Sequence, residues 1–122
     1  YFEFLKRLTK LYSNFKISFF PHPVEYNDIM IRDMCLKLGI NFLEYDGLIE
    51  TFILSQKQIP KKIVSIYSSA LINLSIIKPD NIELINLVIS DILNYKKNDV
   101  DFSNYEEYFK KNKNINNIYL SI

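Results

Sequence analysis

Pro60-Lys61-Lys62-Ile63-Val64-Ser65-Ile66-Tyr67-Ser68-Ser69-Ala70-Leu71 is the stretch on which the fold turns. Residues 63–67 are β-branched and aromatic, the composition of a strand, and Pro60 with two lysines marks its beginning. Ser68 and Ser69 open a helical stretch that runs to about residue 77 and ends in the turn Lys78-Pro79-Asp80-Asn81. Residues 82–89 are apolar and β-branched again. A strand, a helix and a second strand, joined by connections of this length, make a parallel crossover unit.

The same alternation extends toward the amino end. Residues 48–58 read as a helix after Asp46-Gly47, and residues 41–45 as a short strand before it. Residues 26–38 form a helix with Ile29, Met30, Asp33, Met34 and Lys37 at steps of three and four. Asn27 or Asp28 is placed to cap it and Gly39 to stop it. Lys16-Ile17-Ser18-Phe19-Phe20 is a strand halted by Pro21-His22-Pro23. Residues 1–12 are an amphipathic helix with Phe2, Leu5, Leu8 and Leu11 inward and Lys6, Arg7 and Lys10 toward solvent. Residues 90–122 mix helical segments with Lys- and Asn-rich loops, so a carboxy-terminal helical extension is expected there. The fold class is α/β: a parallel sheet flanked by helices on both faces.

Composition bounds the function. The 122 residues suffice for one domain and are few for two, and 48% hydrophobic residues are enough for a core. Fifteen Lys and Arg against fourteen Asp and Glu leave a net charge of +1, which offers no cationic footprint for DNA or RNA. One cysteine, Cys35, cannot form an intramolecular disulfide, and one Cys with one His rules against a zinc site within the chain. No apolar run approaches the ~20 residues of a membrane span, and no signal-peptide pattern is present. The sequence opens on Tyr1 within a helical pattern, so a longer parent protein is expected.

In parallel α/β sheets, ligands bind beyond the carboxyl ends of the strands, in the loops leading into helices. Those loops hold His22, Asp46-Gly47 and Ser68-Ser69. His22, held between two prolines, is able to donate to an anion or serve as a general acid, or it is a plain surface histidine. Ser68-Ser69 offer hydroxyls and first-turn amides to an anion, or they merely cap the helix. Glu50, early on its helix, is able to accept from vicinal hydroxyls, with Glu44 and Asp46 as competitors, or it is a solvated first-turn Glu. Asp99-Val100-Asp101 has the D-x-D spacing of a metal–diphosphate site but lacks a preceding apolar strand. Asp101-Phe102-Ser103-Asn104 instead reads as a turn and cap into a helix over 105–110, with Lys110, Lys111 and Lys113 a solvated face. The nine Tyr and nine Phe are scattered and read as core and surface filler.

Taken together, Phe20-Pro21-His22-Pro23, Leu48-Ile49-Glu50 and 63–71 resemble the carboxy-terminal half of bacterial sialyltransferases. These enzymes carry a His-Pro motif, a downstream Glu and a Ser-Ser motif in this order. The nearest type is the lipooligosaccharide sialyltransferases of glycosyltransferase family fifty-two, and the likeness covers about residues 16–74. The resemblance implies the carboxy-terminal, Rossmann-like half of a GT-B glycosyltransferase, with residues 1–122 as the CMP-sugar donor domain and an acceptor domain amino-terminal to it. By that analogy His22, with Pro23 completing its motif, contacts the CMP phosphate and assists its departure. Ser68 and Ser69 bond the same phosphate, and Glu50 holds the ribose hydroxyls. No metal or other cofactor is implied. The partners implied are a CMP-sugar and a galactose-type glycan of lipooligosaccharide or capsule, on the cytoplasmic side of the inner membrane with peripheral attachment. Some relatives pair as homodimers, although no coiled-coil seam is present here. Val24-Glu25 stands where the family often has a basic residue, and no segment matches the family's amino-terminal general base. Transfer of another nucleotide-linked sugar, or a non-catalytic α/β interaction domain, are the alternative readings.

Overall fold

A computed structural model of the chain describes residues 2–22, 27–45, 47–55, 60–66, 68–77, 81–89 and 102–120, with backbone only at 89 and 102–105. It is α/β, with parallel strands in small sheets flanked by helices. The chain divides into two compact units, Tyr1–Ser55 and Gln56–Ile122.

Unit 1 runs α1 (Phe2–Leu11), β1 (Ser18–Phe19), α2 (Ile29–Leu38), β2 (Asn41–Phe42) and α3 (Ile49–Ser55). The strands pair in parallel, Ser18 opposite Asn41 and Phe19 opposite Phe42. Asp28 is the cap expected of α2: its carboxylate accepts from the Met30 and Ile31 amides. Gly39 ends the helix at φ 71°, a left-handed conformation that disfavours any side chain although open space surrounds the position. The next amide, Ile40 N–H, donates to Cys35 O at 2.8 Å, so the chain turns directly into β2.

The core of unit 1 is Leu5, Ile31, Cys35 and Ile40, with Phe4, Leu8, Ile17, Phe19, Met34, Leu38 and Phe42 packed around it. The core fixes which face of α2 turns inward. Ile29 and Met30 are 80% and 70% exposed, and the inward stripe is Ile31, Met34, Cys35 and Leu38. That stripe contains no charge; Asp33 and Lys37, which share the 3–4 spacing of Ile29, Met30 and Met34, pair on the surface at 3.1 Å.

Unit 2 runs β3 (Lys62–Ser65), α4 (Ser69–Ile77), β4 (Glu83–Ile89), α5 (Phe102–Lys111) and β5 (Ile115–Leu120). Its three strands are parallel in the order β3-β4-β5, with Ile63 opposite Leu84 and Leu84 opposite Ile115. Residues 84–88 of β4 are all buried, so both faces of this strand are covered, as a central parallel strand requires. α4 packs on β4 and α5 on β5. Leu71 and Leu74 of α4 and Phe109 of α5 are almost wholly buried.

Two expectations for 90–122 give way. Phe102-Ser103-Asn104 is not a turn but the start of α5, and the extension is not purely helical, since β5 follows. Asn is disfavoured in strands, which made Ile115-Asn116-Asn117-Ile118 read as loop. Here the amides are satisfied inside the sheet: Asn86 Nδ2 donates to Asn117 Oδ1 at 3.0 Å, and Asn117 Nδ2 donates to Phe109 O at 2.9 Å. Lys110, Lys111 and Lys113 are exposed as expected.

Candidate functional site

In unit 1 the chain leaves β1 through Phe20 and the buried Pro21 to place His22 on the surface. Proline fixes φ, so the backbone entering His22 has one soft torsion fewer than usual. Pro23 lies outside the described residues. Phe20, half-buried, belongs to a group of three rings with Tyr45 and Phe52. Their centroids are 5.7 Å (Phe20–Tyr45), 5.3 Å (Phe20–Phe52) and 5.1 Å (Tyr45–Phe52) apart, at the tilted angles that ring quadrupoles prefer. Tyr45 stands in the loop after β2, and Phe52 is on α3, two positions beyond Glu50.

Glu50 sits in the first turn of α3, half-buried. Its competitor Glu44 is committed elsewhere. Arg32 grips the Glu44 carboxylate with both guanidinium ends, the longer contact being 3.1 Å, while its own plane lies 4.2 Å over the Phe42 ring. Asp46, the other competitor, lies outside the described residues, as do Asp99 and Asp101 of the D-x-D.

In unit 2, Ser68 and Ser69 stand where β3 passes into α4. Ser68 is a true cap: its Oγ accepts from Ala70 N–H at 3.1 Å, and its carbonyl accepts from Leu71 N–H at 3.1 Å. The capping reading of this residue therefore holds. It is compatible with anion binding, because a hydroxyl that accepts through oxygen keeps its proton to donate. Ser69, the first helical residue, is exposed.

The structure thus places His22 and Glu50 in unit 1 and Ser68 and Ser69 in unit 2. In both units the residues lie after the carboxyl ends of parallel strands or at the start of the helix that follows. Cys35, at 0% exposure, has its thiol pKa pushed up by burial, the reverse of an activated nucleophile. Among the described residues no group of three His, Cys, Asp or Glu could hold a metal ion. Among them, too, no helix is long and apolar enough to cross a membrane. Sequence reasoning passed over Tyr45, Phe52 and Arg32. Phe20, next to Pro21, and Tyr45, two residues before Gly47, were the available signal. No family model, curated protein or solved structure matches the chain.

Proposed function

We propose that this chain is the donor-binding part of a bacterial sialyltransferase, the carboxy-terminal Rossmann-like half of a GT-B enzyme that takes CMP-sialic acid. The observation that supports it most is positional: the His-Pro and Ser-Ser motifs both follow the carboxyl ends of parallel strands, where this fold class gathers its ligands.

The resemblance assigns donation to a CMP phosphate to His22 in unit 1 and to the hydroxyls of Ser68 and Ser69 in unit 2, and acceptance from the ribose to Glu50. As the glycosidic bond breaks, negative charge grows on the departing phosphate and positive charge on the sugar. Donors aimed at that phosphate stabilise the transition state more than the ground state. On this reading His22 gives the phosphate a proton or a charge-assisted bond as it leaves. The resemblance implies an inverting enzyme and assigns its general base and glycan acceptor to an amino-terminal domain. A location at the cytoplasmic face of the inner membrane, and pairing into a homodimer, belong to the same proposal.

Calorimetric titration of the chain with CMP, and with UMP as control, tests it. CMP is expected to bind in preference to UMP. His22→Ala should weaken CMP by about 10- to 100-fold, the worth of one charged hydrogen bond, and Ser68→Ala with Ser69→Ala should weaken it similarly. Preference for UMP would move the donor to another nucleotide sugar. CMP affinity indifferent to both variants would sink the site. An absence of binding here and in the full-length protein would leave a non-catalytic interaction domain.

A further inference from the structure

We infer that Tyr45 is a positioning residue that holds the segments bearing His22 and Glu50 in one fixed arrangement. Its purpose rests on the donor-site reading; the arrangement itself does not. Tyr45 contacts both neighbouring segments. Its ring lies 5.7 Å from Phe20, two residues before His22, and 5.1 Å from Phe52, two residues after Glu50. Phe20 and Phe52 also touch each other, so the three rings form a closed triangle rather than a chain. In a closed triangle a shift of either segment must repack at least two of the three ring contacts.

The loop is built around this ring. Leu43 N–H donates to Phe19 O, which carries the pairing of β1 with β2 to Leu43, and Tyr45 N–H donates to Leu43 O in a tight turn, both at 3.0 Å. The neighbouring Glu44 is pinned by Arg32. Gly47 supplies the remaining space: a β-carbon there would stand 2.9 Å from the Tyr45 ring. The three nearest atoms such a carbon would meet all belong to that ring.

His22 is the chain's only histidine, so one carbon-edited imidazole signal reports it without assignment. Tyr45→Ala is expected to shift and broaden that signal, and Tyr45→Phe to leave it as in the wild type. Gly47→Ala, which keeps all three rings but pushes Tyr45, should move it too, and it carries the test if Tyr45→Ala fails to fold. In CMP titrations Tyr45→Ala should weaken binding about tenfold, yet add little once His22 and Glu50 are both alanine, because it acts through them. An unmoved imidazole signal in folded Tyr45→Ala and Gly47→Ala would overturn the inference. So would an additive loss of CMP affinity, the mark of a purely structural residue. If neither wild type nor the full-length protein binds CMP, the donor reading fails, while the imidazole signal still decides whether Tyr45 positions His22.

Discussion

Unit 1 closes its core with rings and unit 2 with amides. Around Leu5, Ile31, Cys35 and Ile40 stand Phe4, Phe19 and Phe42, the last two stacked at 5.7 Å and 22°. In unit 2, Asn86 is 0% exposed at the centre of β4 and joins β5 through Asn117, which in turn reaches the Phe109 carbonyl of α5. Ser75 of α4, 2% exposed, donates to Ile72 O at 2.6 Å and accepts from Asn112 Nδ2 at 3.0 Å. The difference teaches what each device specifies. Apolar packing rewards burial of many shapes and tolerates exchange of volume for volume. A buried amide pair is satisfied in one register only: Asn86 faces Asn117, and a slip of one residue would orphan both. Unit 1, with strands of two residues each, gets its accuracy from rings and helix ends; unit 2 gets it from polar side chains inside a sheet.

The sharpest way to break this contrast is Asn86→Ala. It removes a buried donor, leaves Asn117 Oδ1 unsatisfied and opens a small void, a loss of about 2–4 kcal/mol. Native-state hydrogen exchange should show the β4 amides losing protection while those of α2 keep theirs; equal loss in both would mean that the units do not open separately. Next in size is Asp28→Ala. Loss of the α2 cap should cost about 1 kcal/mol and appear in the α2 amides and in faster thiol labelling of the buried Cys35. An unchanged labelling rate would show that the cap does not guard this core.

The smallest effect concerns pH. The hydrogen bond from Lys62, at 2.6 Å, holds the Glu83 carboxyl below its ordinary range, with the nearby positive charge and Asn116 adding to it. A carboxyl depressed in the folded state stabilises above its unfolded pKa, and that contribution fades as pH falls through the folded value. Both side chains are about a third exposed, so solvent screening limits the pair to a few tenths of a kcal/mol. Glu83→Gln should therefore lower the urea midpoint slightly at neutrality, with the difference from wild type vanishing as pH falls below about 4.5, so that the acid limb is flatter. A parallel displacement at every pH would count against the pair.

Much of this architecture was legible in sequence because local chemistry announced it. Asp28 and Gly39 bound α2, Ser68 caps α4, and residues 83–89 are a strand whose nearly unbroken apolar run has no other comfortable home. What escaped depended on partners distant in sequence. Asn116 and Asn117 favour loops until β4 brings Glu83 to accept from Asn116 and Asn86 to donate to Asn117. The inward face of α2 was ambiguous because apolar residues wrap most of that helix; the partners on α1 and β1, not the helix, choose Ile31 and Cys35. His22, Glu50, Ser68 and Ser69 could be named from motif order, whereas Tyr45 matters only through rings brought to it by two other segments. A tyrosine in isolation carries no mark of that.

β4 makes a demand on the timing of synthesis. Its partner for Glu83, Lys62, precedes it by 21 residues, but Asn117 follows Asn86 by 31. A nascent chain therefore displays an apolar strand with one edge unpaired until the residues of β5 have been made. Such an edge is an invitation to pair with another chain. Any message or protease cut that ends the polypeptide before Ile115 would leave that invitation standing, and the product would meet the cell as an aggregate rather than as a shorter protein.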